Sequence, residues 1–152
     1  VITKLPGRLS QPPVVAERAR PWRLQSQGYV AVVGGFAAVT VIALMNADHL
    51  DVPKRGRALI AGAGLLGLVL DVLILDVVMI WGTRVDLGVH TVLSILLVLA
   101  VHDVQVGVQR PYDRKTLLLS RGPDHAPMWL AGAAAILVCG SIEHFMLTAI
   151  QG

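Results

Sequence analysis

The sequence predicts an all-α membrane protein: four transmembrane helices in an up-down bundle, with helices 2 and 3 forming a tight hairpin. Three observations carry that prediction. Of the 152 residues, 55% are hydrophobic and only 15% charged, a balance far from that of a soluble domain. The apolar residues fall into four runs, near 29–47, 58–82, 85–108 and 127–150, each long enough as a helix to cross roughly 30 Å of hydrocarbon. The Lys and Arg residues gather at the ends of these runs, where they suit lipid headgroups, and no nucleic-acid ligand is expected.

Residues 1–28 carry Pro6, Pro12, Pro13 and Pro21 among Arg8, Arg18, Arg20 and Arg23. With no sustained periodicity they read as a basic, disordered tail ahead of a transmembrane domain over 29–152. The first run is rich in Val, Ala and Gly and meets no charge before Asp48. A signal peptide competes with this reading, but the apolar stretch is long and the residues ending at Ala47 make a poor cleavage site. In the second run Asp71 and Asp76 each cost ~2.5–3.5 kcal/mol near a helix centre, which nearly cancels the gain from fourteen Leu, Ile and Val residues. Such a helix inserts together with its neighbour, and the short linker 83–86 enforces the hairpin.

The third run contains His90, His102, Asp103 and Gln105. After it, residues 109–127 read as a loop at headgroup level, in which Arg110, Arg114, Lys115 and Arg121 flank a short apolar stretch and contact anionic lipid. Trp129 opens the fourth run as an interface anchor. Small residues four apart mark the faces on which helices pack closely: Ala31 with Gly35, Gly34 with Ala38, Ala63 with Gly67, and Ala131 with Ala135 and Cys139. Cys139, the single cysteine, is read as one of these packing residues. Gly62, Gly64 and Gly67 match a dinucleotide-binding spacing, but they follow no predicted strand and lie within an apolar helix, so that reading is set aside.

Ionisable groups within spanning helices are costly and face the bundle interior, so they point to the candidate site. Antiparallel helices bring Asp76, His90, Glu143 and His144 to one depth, about 8–12 Å from the segment ends, and these four are expected to converge. Asp71 lies near the middle of its helix and must be protonated or paired. The competing reading is that such groups only pair with one another and fix helix register. His102, Asp103 and Gln105, near the opposite surface, are read that way, and His49 and His125 fall in loops. His90 and His102 are twelve residues apart, about 120° around the helix and ~18 Å along it, so they cannot serve one site.

Three functions are compatible with this pattern. The first expectation is an accessory or structural subunit of a larger membrane assembly, with a membrane-protein partner or a second copy of itself. The alternative is proton or ion translocation through Asp71, Asp76 and Glu143. A second alternative is a redox protein holding b-type haem or a transition metal through His90 and His144, with Gly88 and Gly140 leaving room for a macrocycle. No nucleophile with a supporting base is identifiable, so the pattern does not point to a particular enzyme reaction. Five basic residues precede the first run and three follow it, which favours a multi-pass cell-membrane protein with both termini in the cytoplasm.

Overall fold

The computed structural model of the chain describes residues 21–81, 86–119, 126–142, 145, 148 and 149. They are almost entirely helical, and no strand occurs among them. A 3-10 turn, Leu24–Ser26, leads into α1 (Gln27–His49), followed by α2 (Lys54–Trp81), α3 (Asp86–Leu119) and α4 (Trp129–Ala135), which runs on into a π-helical turn, Ile136–Gly140. The segments Leu24–His49, Lys54–Val78 and Gly88–Leu118 are long and apolar enough to cross a membrane.

The first of these does not use its length in one direction. At Gly35 the backbone turns to φ 72° and ψ −165°, a conformation open to glycine and costly for other residues. A straight helix from Gln27 to His49 would hold its ends about 33 Å apart. Instead the Trp22 N–H donates to Asn46 Oδ1 at 2.7 Å, and the Trp22 ring meets His49 edge-on with centroids 5.3 Å apart. The single first helix expected over 29–47 is therefore two antiparallel arms, 27–34 and 36–49. Their facing sides are small or β-branched: Val30, Ala31 and Gly34 on one arm, Ala38, Val39, Ile42 and Ala43 on the other, all buried. Part of the expected tail is ordered as well, since Trp22 and Leu24 are buried against the second arm. Residues 1–20 lie outside the described residues.

The second arm ends in a tight cap. Asp51 takes a left-handed φ of 53°, which lets the Val52 N–H reach back to the Ala47 carbonyl at 2.9 Å. Arg57, in the first turn of α2, then donates to the Val52 carbonyl at 2.8 Å and to Asp48 at 2.6 Å. The direction in which α2 leaves is thus fixed by three consecutive local contacts.

α2 and α3 pack as the expected antiparallel pair, with α1 laid against both and α4 packed chiefly on α1. The buried stripe of α2 is Gly56, Ile60, Gly64, Gly67, Asp71 and Leu75, a repeat of three or four residues along one face. Gly64 faces Thr40, and a methyl group on Gly67 would come within 2.7 Å of both the Phe36 ring and Val101. α3 continues eleven residues past the expected end at 108, with Pro111 inside it, so much of the polar stretch read as a loop is helix. Proline lacks the N–H of the ladder but keeps a helical φ, and the flanking residues hold the turn. α4 starts at Trp129, close to the expected 127, and its π turn lies over the reversal: a methyl on Gly34 would fall 2.9 Å from Ile136.

Candidate functional site

Asp71 lies on the buried stripe of α2, seventeen residues after Lys54 and ten before Trp81, or about 25 Å and about 15 Å along the helix. Its side chain is 2% exposed, and its Oδ1 lies 3.5 Å from Nε2 of His90 on α3. The geometry brings the charges together without aligning a hydrogen bond, so both atoms lack a hydrogen-bond partner among the described residues. An imidazole facing a carboxylic acid, or an imidazolium facing a carboxylate, leaves the pair net neutral, and the facing atoms, 3.5 Å apart, are the two between which one proton can be shared.

The partner of His90 is thus Asp71 rather than Asp76. The two aspartates are five residues apart, about 140° around the helix axis. Gly64 and Gly67 turn the Asp71 face toward Thr40, Phe36 and α3, which leaves Asp76 exposed on the other side. His90 does share its face with Ser94 and Leu97, both half-buried. Glu143 and His144, the other two members of the expected cluster, lie outside the described residues, as do His125 and Arg121. Among the described residues no three His, Cys, Asp or Glu side chains come together in a way that would hold a metal ion.

Gln105, read from the sequence as a group that pairs and fixes helix register, belongs to a second polar cluster whose other members the sequence reading missed. Gln105 donates from Nε2 to Thr40 Oγ1 at 2.9 Å and to the Ile60 carbonyl at 3.2 Å. Gln109 Nε2 donates to the Gln105 carbonyl at 3.3 Å, and Asn46 Nδ2 donates to Gln109 Oε1 at 2.9 Å. With the Trp22 N–H on Asn46, a continuous run of hydrogen bonds ties the second arm of α1, and the segment that precedes the first, to α2 and α3. Gln105 and Gln109 are four apart on the buried face of α3, a spacing visible in the sequence. Their partners on α1 carry no such signal. Gln27 is also fully buried, with neither amide atom bonded among the described residues.

Of the basic residues expected at lipid headgroups, Arg110 and Arg114 line one cleft with Arg23 and His102. Lys115, one residue or about 100° further round, is exposed and does not line it. The chain matches no protein-family model, no curated protein and no solved structure.

Proposed function

We propose that the chain is an integral membrane protein that exchanges protons through the Asp71–His90 pair, as part of proton or proton-coupled ion movement. The observation that carries this reading is a carboxylate near the middle of an apolar helix, 2% exposed, facing an imidazole at 3.5 Å with both facing atoms short of a hydrogen bond. Ionisable groups at such depth are expensive and mark ion pathways and proton relays. The test is proton flux into vesicles reconstituted with the purified protein and loaded with a pH-sensitive dye. Flux above that of empty vesicles, lost in Asp71→Asn and His90→Ala, supports the reading. Flux unchanged in both variants rules it out.

The fold-back at Gly35 supports a membrane topology different from four crossings. α1 enters and leaves on one side, while α2, α3 and the apolar run that α4 opens cross. The termini then lie on opposite sides, rather than both in the cytoplasm. Four crossings divide the basic residues almost evenly between the two sides. With α1 re-entrant, every Lys and Arg except Arg84 falls on the side of the N-terminus. That asymmetry is what the positive-inside rule requires, and it assigns the N-terminal side to the cytoplasm. Single cysteines at Ser10→Cys and Gln151→Cys, in a Cys139→Ser background, should label from opposite sides of intact cells. Labelling from the same side would reject the re-entrant arrangement.

A second reading, subunit of a larger assembly, is favoured by Asp76. It is exposed on the outer face of α2, among Leu73 and Val77, which are exposed too. A carboxylate facing lipid is costly, and a polar group on a partner helix would relieve it. Crosslinking from Asp76→Cys in native membranes tests this: a discrete adduct supports a partner, and none argues for lipid at that face.

A further inference from the structure

We infer that a cleft between the turn Leu24–Ser26 and the C-terminal half of α3 holds the phosphate group of an acidic phospholipid. This deepens the membrane reading above and rests on it. The cleft has a volume of about 640 Å³, with Arg23 on one wall and Arg110 and Arg114 on the other. Arg110 and Arg114 are four residues apart, so their side chains emerge from the same face of α3. Arg23 joins them only because α1 doubles back at Gly35; a straight first helix would hold even Gln27, four residues on, about 33 Å from the second arm's end. Among the described residues none of the three guanidinium groups has an ion-pair partner.

The rest of the lining decides between ligands. Leu24, Val106 and Leu117 give the cleft an apolar wall, which suits the glycerol and first methylenes of a lipid and serves a small soluble phosphate poorly. Asp103 and Asp113 also line it, but cations outnumber them and Asp113 is engaged by another group. The cleft lies along the end of an apolar span, Gly88–Leu118, on the side that carries nearly all basic residues. In the proposed topology that side faces the cytoplasmic leaflet, where acidic lipids are concentrated. Guanidinium forks bind phosphate oxygens in pairs, so the site selects a phosphate with accessible oxygens and no bulky cation beside it.

The experiment uses the full-length protein in mild detergent, titrated with phosphatidylglycerol or phosphatidylcholine, with bound lipid counted by native mass spectrometry. Phosphatidylglycerol should bind in preference to phosphatidylcholine. Arg110→Gln with Arg114→Gln should weaken that binding by about tenfold or more, equivalent to one strong charge-assisted contact. Arg23→Gln, outside every helix, should weaken it in the same direction and guards against misfolding of the double variant. Lys54→Gln with Arg55→Gln, both exposed, removes the same charge outside the cleft and should change binding by less than about twofold. Equal binding of the two lipids, or an equal loss in the control pair, would overturn the proposal in favour of diffuse surface charge. Displacement of phosphatidylglycerol by millimolar glycerol phosphate would assign the site to a soluble phosphoester and overturn the lipid assignment. Liposome flotation separates the two levels: a chain that fails to float defeats the membrane reading itself, whereas one that floats without lipid preference defeats only the cleft.

Discussion

The two buried polar clusters differ in one respect that decides what each can do. In the amide cluster the groups are neutral, and Trp22, Asn46, Gln109, Gln105 and Thr40 are joined by bonds of 2.7–3.3 Å. None of these groups is titratable, so the role of the cluster is to hold the second arm of α1 onto α2 and α3. About sixteen ångströms along α2, counted from Ile60, the Asp71–His90 pair holds two titratable groups with facing atoms unsatisfied. Burial of polar groups is common to both clusters; the capacity to change state belongs only to the second.

The sharpest way to break this comparison is to make both clusters apolar in turn. Replacing the pair with Asp71→Leu and His90→Leu should abolish proton flux while leaving stability unchanged or raised by about 1–4 kcal/mol, as happens when a buried ion pair gives way to packed side chains. Asp71→Leu alone should not show that gain. Gln109→Leu should behave in the opposite sense, keeping flux and losing stability. Flux assays beside thermal unfolding in detergent would show whether the two effects separate. If the double leucine variant keeps its flux, the Asp71–His90 pair does not carry the proton.

Gly67 lies between the clusters and tests whether they are mechanically linked. Gly67→Ala places a methyl 2.7 Å from Phe36 and Val101, and overpacking of this kind costs about 1–3 kcal/mol. The shift should also weaken the Asp71–His90 contact, so reduced stability and reduced flux are expected together. A similar loss, about 1–3 kcal/mol, is expected for Gly35→Ala, because alanine is strained at φ 72°; here flux should survive in the folded fraction. Circular dichroism melts of the two variants, set against their flux per folded molecule, make the comparison.

Asn46→Leu removes the acceptor of the Trp22 N–H and the donor to Gln109. A loss of about 1–2 kcal/mol is expected, and a double-mutant cycle with Gln109→Leu should show the two changes to be coupled. Additive effects would mean that the amides act singly. No loss is expected at Asp76→Asn, which should leave the isolated chain as stable as before or more so, since the residue is exposed and a carboxylate facing lipid is costly. A loss would place Asp76 in an internal contact.

Several features were determined by the sequence alone, because they depend on neighbours in the chain. The apolar runs made helices from Lys54 to Trp81 and from Asp86 onward, the short linker paired them, and the length of the second run put Asp71 near its middle. The spacing of His90, Ser94 and Leu97 likewise told which face of α3 they share. Three matters were left to the tertiary structure. Gly34 and Gly35 suit a close helix contact as well as a reversal, and only the seating of Trp22 on Asn46 and His49 shows that the chain doubles back. Either Asp71 or Asp76 could have met His90, until Gly64 and Gly67 set the rotation of α2 against Thr40 and Phe36. Asn46 finds Gln109 sixty-three residues away. Helix formation follows from local sterics and hydropathy, whereas rotation, reversal and the pairing of buried polar groups are fixed by contacts between surfaces far apart in the chain, which local periodicity does not encode.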